Sequence, residues 1–426
     1  MKLRGKNVLV YGMGASGQEA SKLLYMEGAC VSIYDDDKRF CNMFCYEKEP
    51  LKKKYDLVVV SPGIKVMGNE LINSFNSTPV LSELDLGYSF MKGRIIAITG
   101  TNGKTTTCSL LGKIFSEAGK ETFVCGNIGL PICNIAPKTT KNSISIVEVS
   151  NFQLELSRNF KPDVACVLNI TEDHIDRHGS FEEYKKIKNK IFQHKKTRAV
   201  INLDENESLS LNFPKKRRFF SKNVLEKGAY VKNGYIFCDR KKIMLKTEVP
   251  ILGDKNLENV LACVMIARMF KLKPQVIRKA IATFVPPSHR LEFVGKVNGA
   301  KVYNDSKSTN VACTAMAIDC LKKEKIILLV GGRNKGNDFD KLFALNFNAK
   351  KIICFGECRE ELFALAKKYN FESAAFDTMA EATAFAREIA QENDVILFSP
   401  ACASFDEFSS YSARGQRFKE LIMGQE

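Results

Sequence analysis

The chain has 426 residues, 45% of them hydrophobic and 26% charged, with a formal net charge of +16 and 14 cysteines. At about 150 residues per domain, that length predicts roughly three domains, each able to bury its own core without disulfides or a structural metal. No run approaches the ~20 apolar residues of a membrane span, and Met1 to Lys6 lead straight into a strand-like run without an apolar leader, so a cytoplasmic protein with no membrane insertion is expected.

In chain order, Asn7–Tyr11 reads as a strand, Gly12–Gly17 as a glycine turn, and the following stretch to about Met26 as a helix. Cys30–Tyr34 and Leu57–Val60 are further strands, ending at Asp35 and at Ser61-Pro62-Gly63. Near Lys92-Gly93 the pattern restarts with a strand over Arg94–Thr99, a glycine loop and a helix from Thr105. Strands over Ser145–Val149, Val164–Leu168 and Ala199–Asn202 follow, a break falls at Val285–Ser288, and strands over Lys325–Val330, Lys351–Phe355 and Asp394–Phe398 come after it. Strands spaced by helices predict an α/β chain of parallel sheets in three domains: an N-terminal Rossmann-like domain (1–91), a central ATPase-like domain (92–286) and a C-terminal Rossmann-like domain (287–426).

The cysteines are scattered, with no Cys-x-x-Cys pair, and lie mostly in apolar runs, which reads as free buried thiols. The basic runs Lys52–Lys54 and Lys215–Arg218 lack interleaved aromatics. A solvated lysine-rich surface is favoured, attraction of anionic small molecules comes second, and no nucleic-acid partner is expected.

The segment Ile98 to Thr107 joins an apolar strand to a helix through Gly100-Thr101-Asn102-Gly103-Lys104-Thr105-Thr106. Glycines let main-chain N–H groups turn toward phosphate oxygens, and the helix start adds about half a positive charge. Lys104 can reach the β- and γ-phosphates of ATP, and the Thr105 hydroxyl can hold Mg²⁺. Ile98 stands where the generic pattern has its first glycine, so Gly100 serves a shorter loop. The earlier Gly12-x-Gly14-x-x-Gly17 turn, with Asp35 after the next strand, has a dinucleotide-like layout, reused here for another nucleotide-like ligand.

Several segments in order resemble the Mur ligase family, which adds amino acids to peptidoglycan precursors: Thr99–Thr106, Gly126–Gly129, Glu148–Glu155, Asn169–His178, Ser288–Glu292 and Asn304–Asn310. The tail Leu397–Phe408, running on to Arg414-Gly415, and the glycine-turn first domain resemble the D-glutamate-adding branch. The resemblance implies an ATP-dependent ligase joining D-glutamate to UDP-N-acetylmuramoyl-L-alanine (UDP-MurNAc-L-alanine) through an acyl phosphate, acting as a monomer in peptidoglycan precursor synthesis. It implies ATP contacts from Gly100, Thr101, Asn102, Gly103, Lys104, Thr105, Thr106, Asn256, Asn259, Arg290 and Asp305, and two Mg²⁺ held by Thr105, Glu148, His174 and a CO₂-derived carbamate on Lys188. Lys104, Lys188, His174 and Arg290 are the implied catalytic set, with Arg290 clamping the γ-phosphate. For Asp173 and Asp176, in the same loop, the resemblance leaves open a part beside the metal ligands or one of shaping the loop alone. Helical spacing puts Tyr184, Lys188 and Ile191 on one face, away from Lys185 and Lys186. For the other substrates the implied contacts are Gly14, Ala15, Ser16, Asp35, Ser61, Gly63, Asn127, Lys307, Thr309, Lys335, Ser404 and Tyr411.

The chain departs from the family at Lys255, where histidine is common, at Tyr411, where phenylalanine is common, and at Asp36-Asp37, where arginine often follows the aspartate. The rival readings are a sibling ligase for another amino acid, a nucleotide-dependent binding protein and an NAD oxidoreductase.

Overall fold

The computed structural model describes residues 1–43 and 45–424, the side chain of Asp176 excepted. The chain forms two compact units, one of 1–250 with 256–284 and one of 251–255 with 285–426.

The first unit carries two sheets. The smaller has β1 (Asn7–Tyr11), β2 (Cys30–Tyr34), β3 (Leu57–Val60) and β4 (Val80–Ser82) in the order β2-β1-β3-β4, all parallel. Helix α1 (Ala15–Met26) follows β1, α2 (Glu70–Ser74) precedes β4, and α3 (Glu83–Phe90) follows it. The strands are nearly continuous apolar runs such as Leu57-Val58-Val59-Val60, as a sheet covered on both faces requires.

The second sheet is nine-stranded. Its elements are β5 (Arg94–Thr99), α4 (Lys104–Glu117), β6 (Thr122–Gly126), α5 (Ile132–Ile135), β7 (Ile144–Glu148), α6 (Asn151–Glu155), β8 (Val164–Val167), α7 (Ile175–His178), α8 (Phe181–Asn189) and β9 (Arg198–Asn202). They continue with α9 (Asn206–Leu209), β10 (Arg217–Ser221), β11 (Ala229–Lys232), β12 (Tyr235–Cys238), β13 (Lys241–Leu245), α10 (Asp254–Met269) and α11 (Pro274–Ala282). The order β13-β12-β11-β10-β9-β8-β5-β7-β6 places β5 between strands wound to opposite sides. Such a reversal opens a crevice at the carboxyl ends of the strands.

The run β11–β13 departs from the expected strand–helix alternation by ending the sheet antiparallel. Its tight turns explain this: Asn233 and Gly234 have φ of 49° and 75°, and Asp239 and Arg240 have φ of 46° and 65°. Two successive left-handed residues match the twist of a hairpin.

The second unit holds β14 (Glu292–Val297), β15 (Ala300–Asn304), α12 (Val311–Leu321), β16 (Lys325–Gly331), α13 (Asp340–Phe343), β17 (Ala349–Phe355), α14 (Arg359–Lys368), β18 (Ser373–Phe376), α15 (Met379–Ile389), β19 (Asp394–Ala401) and α16 (Tyr411–Met423). The sheet order is β14-β15-β19-β16-β17-β18, with β19 inserted between β15 and β16. β19 runs three residues past the predicted Phe398, through Pro400; the β16–β19 register shifts at Leu329/Gly331, where proline's missing N–H is tolerated. Among the described residues no helix is long and apolar enough to cross a membrane. All 14 cysteines are free.

Glu83 opens α3 fully buried; one carboxylate oxygen accepts from Cys133 N at 3.1 Å and the other has no partner. Burial pushes its acid dissociation up to about 7, only partly offset by the contacts from Cys133. Because the folded value is raised, the neutral form's contribution is fully present below about 4.5 and is lost as pH rises through about 7. Glu83→Gln is therefore expected to be more stable than the parent at pH 8.5 by on the order of 3 kcal/mol, with the gap closing toward pH 4.5. Denaturant unfolding of both proteins at several pH values measures it; a pH-independent difference would overturn the assignment.

Candidate active site

The crevice at the end of β5 is occupied by the glycine loop. Gly103 has φ +83° and leads directly into α4, whose first turn carries Lys104, Thr105 and Thr106 and no acidic side chain. A Cβ at Gly103 would lie 2.3 Å from Asn259 Oδ1, so glycine is required by both the backbone and the close approach. The loop is stapled to the segment after β8. Thr101 N donates to Asn169 O at 3.0 Å, Asn102 N to Asn169 Oδ1 at 2.8 Å, and Asn169 Nδ2 back to Asn102 O at 3.1 Å. The Thr101 hydroxyl meets Tyr184 Oη at 3.0 Å. Lys104 Nζ lies back over the loop, donating to Gly100 O and Thr101 O, both at 2.7 Å.

Lys188, on α8, is 1% exposed, and its Nζ is 3.2 Å from Gly100 O and 4.6 Å from the Tyr184 ring centroid. Burial first, and the neighbouring Lys104 second, hold its amine well below the ordinary lysine range, against an opposing pull from Asp173. The predicted helical face thus brings Lys188 to the phosphate loop. Lys185 and Lys186 pair instead with Glu207 and Glu182, and with Glu183.

Glu148 closes β7 and is buried. Its Oε1 accepts from Asn127 Nδ2 at 2.8 Å, while Oε2 has no hydrogen-bond partner. His174 follows β8 in a left-handed conformation with φ 54°, its ring 4.8 Å from that of Phe152 and its Nε2 3.5 Å from Asp173 Oδ2. The Asp176 side chain lies outside the described residues. Asn259 Nδ2 donates to Asn256 Oδ1 at 3.2 Å. Among the described residues no three His, Cys, Asp or Glu side chains converge on one point. The expected metal donors are of mixed type, and the unpartnered Glu148 oxygen is the one buried atom among them that lacks a partner.

The first sheet gathers a second cluster. Gly14, Ala15 and Ser16 start α1, where Gly14 makes no side-chain cap. The turn is packed on β3's end: a Cβ at Gly12 would meet Ser61 Cβ at 2.8 Å, and one at Gly17 would meet Gly12 O at 1.8 Å. Ser61 is buried, with its Oγ unpartnered, and Gly63 is exposed. Asp35 accepts from Met13 N at 2.5 Å through one oxygen and from Asp37 N at 2.8 Å through the other, so it braces the glycine turn.

The second unit gathers the third cluster. Asp305 is buried, accepting from Leu291 N (3.0 Å), Ser308 Oγ (2.5 Å) and Ser399 Oγ (2.8 Å). Burial raises its acid dissociation to about 6, against these hydrogen bonds and the charge of Arg290. Lys307 Nζ lies 3.7 Å from the Tyr411 ring centroid and Lys335 Nζ 4.7 Å from that of Phe405. Ser404 is buried; Thr309 is half-buried.

Four residues given no role by the sequence analysis hold these clusters: Asn169 and Tyr184 on the phosphate loop, Arg177 between α7 and the 62–64 loop, and the fully buried Arg414. Asn169, Arg177 and Arg414 lie in segments that carried the resemblance, and Tyr184 lies on the helical face that also carries Lys188; no other signal marked them.

Gly103→Ala places an L-residue at φ +83° against Asn259. The left-handed conformation alone costs about 1–2 kcal/mol, so affinity for a non-hydrolysable ATP analogue is expected to fall roughly tenfold or more. Titration calorimetry reads this; unchanged affinity would show that the turn is not needed.

Residues 98–267 match the Mur ligase middle domain and residues 289–402 the Mur ligase glutamate ligase domain. The chain is similar to the UDP-N-acetylmuramoylalanine–D-glutamate ligase of Caldanaerobacter subterraneus subsp. tengcongensis, at 38% identity over 99% of each chain. It is also similar to the protein of that name from Geobacillus sp., at 34% identity over 97% of this chain and 96% of that one. Among solved structures it resembles a pseudomurein peptide ligase type C from Methanothermus fervidus (TM-score 0.65, 18% identity, 99% and 100% of the chains covered). It resembles likewise the UDP-N-acetylmuramate–alanine ligase of Thermotoga maritima (TM-score 0.62, 16% identity, 99% and 100% covered), and at such identities these two matches concern the fold. A phosphate loop at the winding reversal of a mainly parallel sheet, two matched domains and relatives similar along their whole length lead to one conclusion: the chain belongs to the Mur ligase family.

Proposed function

We propose that the chain joins D-glutamate to UDP-MurNAc-L-alanine at the expense of ATP, in the cytoplasm and as a monomer. The observation that carries this reading is the convergence of Lys104, Glu148, Asn127 and buried Lys188 around the phosphate loop, in a chain whose full-length relatives bear the name of that activity. The proposed division of labour is a UDP-substrate domain over 1–91, an ATP domain over 92–286 and an amino-acid domain over 287–426.

The γ-phosphoryl group passes to the carboxylate of the L-alanyl substrate, ADP leaves, and the amine of D-glutamate attacks the acyl phosphate. Loss of a proton from that nitrogen and expulsion of phosphate leave the amide. Lys104 moves from its own loop carbonyls to the phosphate oxygens, aided by the N-terminal dipole of α4. The roles carried over from the family are a second cation for the γ-phosphate at Arg290, base contacts at Asn256 and Asn259, and a ribose contact at Asp305. On the first sheet, Gly14 to Ser16, Ser61 and Gly63 receive the UDP moiety, braced by Asp35. Asn127 orients the reacting end, and Lys307, Thr309, Lys335, Ser404 and Tyr411 receive D-glutamate, whose two carboxylates suit lysine ammonium groups.

The donor chemistry fits Mg²⁺: Glu148 offers a buried oxygen without a partner, Thr105 a hydroxyl at the head of α4 and His174 an exposed imidazole. Bound there, the metal would neutralise the phosphate charge that grows during transfer. Burial lowers the cost of deprotonating the Lys188 amine, and the neutral amine can add CO₂ and release a proton, giving a carbamate that supplies a further anionic oxygen donor.

Phosphate release from ATP, assayed with UDP-MurNAc-L-alanine and a panel of D-glutamate, L-alanine, L-lysine and meso-diaminopimelate, tests the reading. Release is expected with D-glutamate and is expected to vanish in Lys104→Ala. Dependence on another amino acid would replace the substrate assignment, and no release with any would point to a nucleotide-binding protein. Separately, protein equilibrated with ¹³C-bicarbonate is expected to show one carbamate carbonyl signal that Lys188→Arg lacks. Its absence from the parent would remove the carbamate while leaving the ligase reading intact.

A further inference from the structure

One side chain ties the two sheets of the first unit together at their loop ends. Arg177, on α7, is 12% exposed and stacks on the Phe152 ring at 4.1 Å. Its Nε and Nη2 each donate at 2.8 Å to the two oxygens of Glu155, which is 9% exposed. The other edge of the guanidinium meets three successive main-chain carbonyls: Nη2 reaches Pro62 O at 3.0 Å and Ile64 O at 2.6 Å, and Nη1 reaches Gly63 O at 3.3 Å. That loop follows β3 and backs the glycine turn through Ser61 and Ile64.

We propose that Arg177 is a positioning residue for the UDP-bearing substrate, fixing the Pro62–Ile64 loop, and with it the glycine turn, against the turn that carries His174. The inference rests on the proposed substrate reading.

A fork that spans a carboxylate on one edge and carbonyls on the other is specific to guanidinium; an ammonium is a point charge with three donors. A trans peptide directs its N–H opposite its C=O, so carbonyls gathered on Arg177 turn the Gly63 N–H away from it, and that N–H has no partner among the described residues. The Gly63 N–H, on an exposed residue beside the start of α1, is thereby left as a donor suited to a diphosphate, while the Ser61 hydroxyl lies buried toward Gly17 beneath the turn. Arg177 itself is spent on the protein and is not placed to touch that diphosphate.

The test compares Arg177→Lys with the double variant Glu155→Gln/Arg177→Met, which leaves no unpaired buried charge if the single variant fails to fold. Losing several charge-assisted contacts to the loop is expected to raise KM for UDP-MurNAc-L-alanine roughly ten- to a hundredfold. KM for ATP is expected to stay within about twofold, because the phosphate loop is held by Asn169 and Tyr184 instead. Amide hydrogen exchange over residues 61–66 is expected to rise in both variants while exchange over residues 100–106 is unchanged. A folded variant with parental KM for the UDP-substrate, equal rises in both KM values, or unchanged exchange at 61–66 would overturn the proposal. If the parent protein itself releases no phosphate with this substrate pair, the substrate reading fails instead, and the exchange measurement alone judges the pin.

Discussion

The site depends on a single topological constraint: β5 lies between strands that the chain winds to opposite sides. Crossovers that leave in opposite directions cannot both cover the carboxyl end of the strand between them, so a crevice remains there. Into it come Gly100 to Thr106 after β5, Glu148 at the end of β7 and Asn169 after β8, brought together from distant stretches of sequence. The first sheet repeats the device at β1, with the glycine turn and Ser61 side by side. In the third sheet β19 returns between β15 and β16, so the loops bearing Asp305, Lys335 and Ser404 follow adjacent strands. Each cluster is therefore a consequence of strand order before it is a consequence of side-chain chemistry.

Electrostatics then selects which groups can stay in the crevice. Two amines, those of Lys104 and Lys188, share the carbonyl oxygen of Gly100. Both cannot carry charge there at low cost without an anion. The fully buried one gives way, because desolvation penalises its ammonium form and Lys104 stands beside it. Glu148 presents the complementary imbalance. A buried carboxylate oxygen with no donor costs about 1–3 kcal/mol, and a fold keeps such an atom where a ligand compensates it. A buried amine that burial disfavours as a cation and an under-satisfied carboxylate near one loop are poor for stability and suitable for receiving a polyanion with its cations.

Much of this was legible in the sequence, and what was missed has a physical reason. The apolar runs of β1, β2, β3 and β5 matched their strands because parallel strands buried on both faces leave nearly unbroken hydrophobic signals. The β11–β13 hairpins were missed because half-covered strands such as Lys241–Leu245 mix lysine with apolar residues, and only the Asn233-Gly234 turn announces them. Lys188 could be chosen over Lys185 and Lys186 because helical phase is a local property. That Asp35 would spend both oxygens on Met13 N and Asp37 N was not readable, since main-chain donors leave no mark on composition.

The same blindness hides the two arginines that organise the loops. Arg177 collects the carbonyls of residues 62, 63 and 64; Arg414, fully buried in the other unit, donates to Ser306 O and Cys402 O at 3.0 Å and to Ser306 Oγ at 3.1 Å. Each serves a segment that lies beside expected substrate residues, Ser61 and Gly63 in one case, Lys307 and Ser404 in the other. A loop cannot bond its own carbonyls in one plane, and a neighbouring strand would convert it into sheet. A planar guanidinium satisfies several carbonyls at once while leaving the backbone irregular and its N–H groups facing elsewhere. Lysine could neutralise the same region but could not dictate the direction of each peptide. Burying an arginine is costly unless its donors are used; Arg177 spends Nε, Nη1 and Nη2 on Glu155 and the 62–64 carbonyls, whereas Arg414 spends Nε and Nη2 and keeps a buried Nη1 without a partner, so the acceptors each finds show which loop it orders.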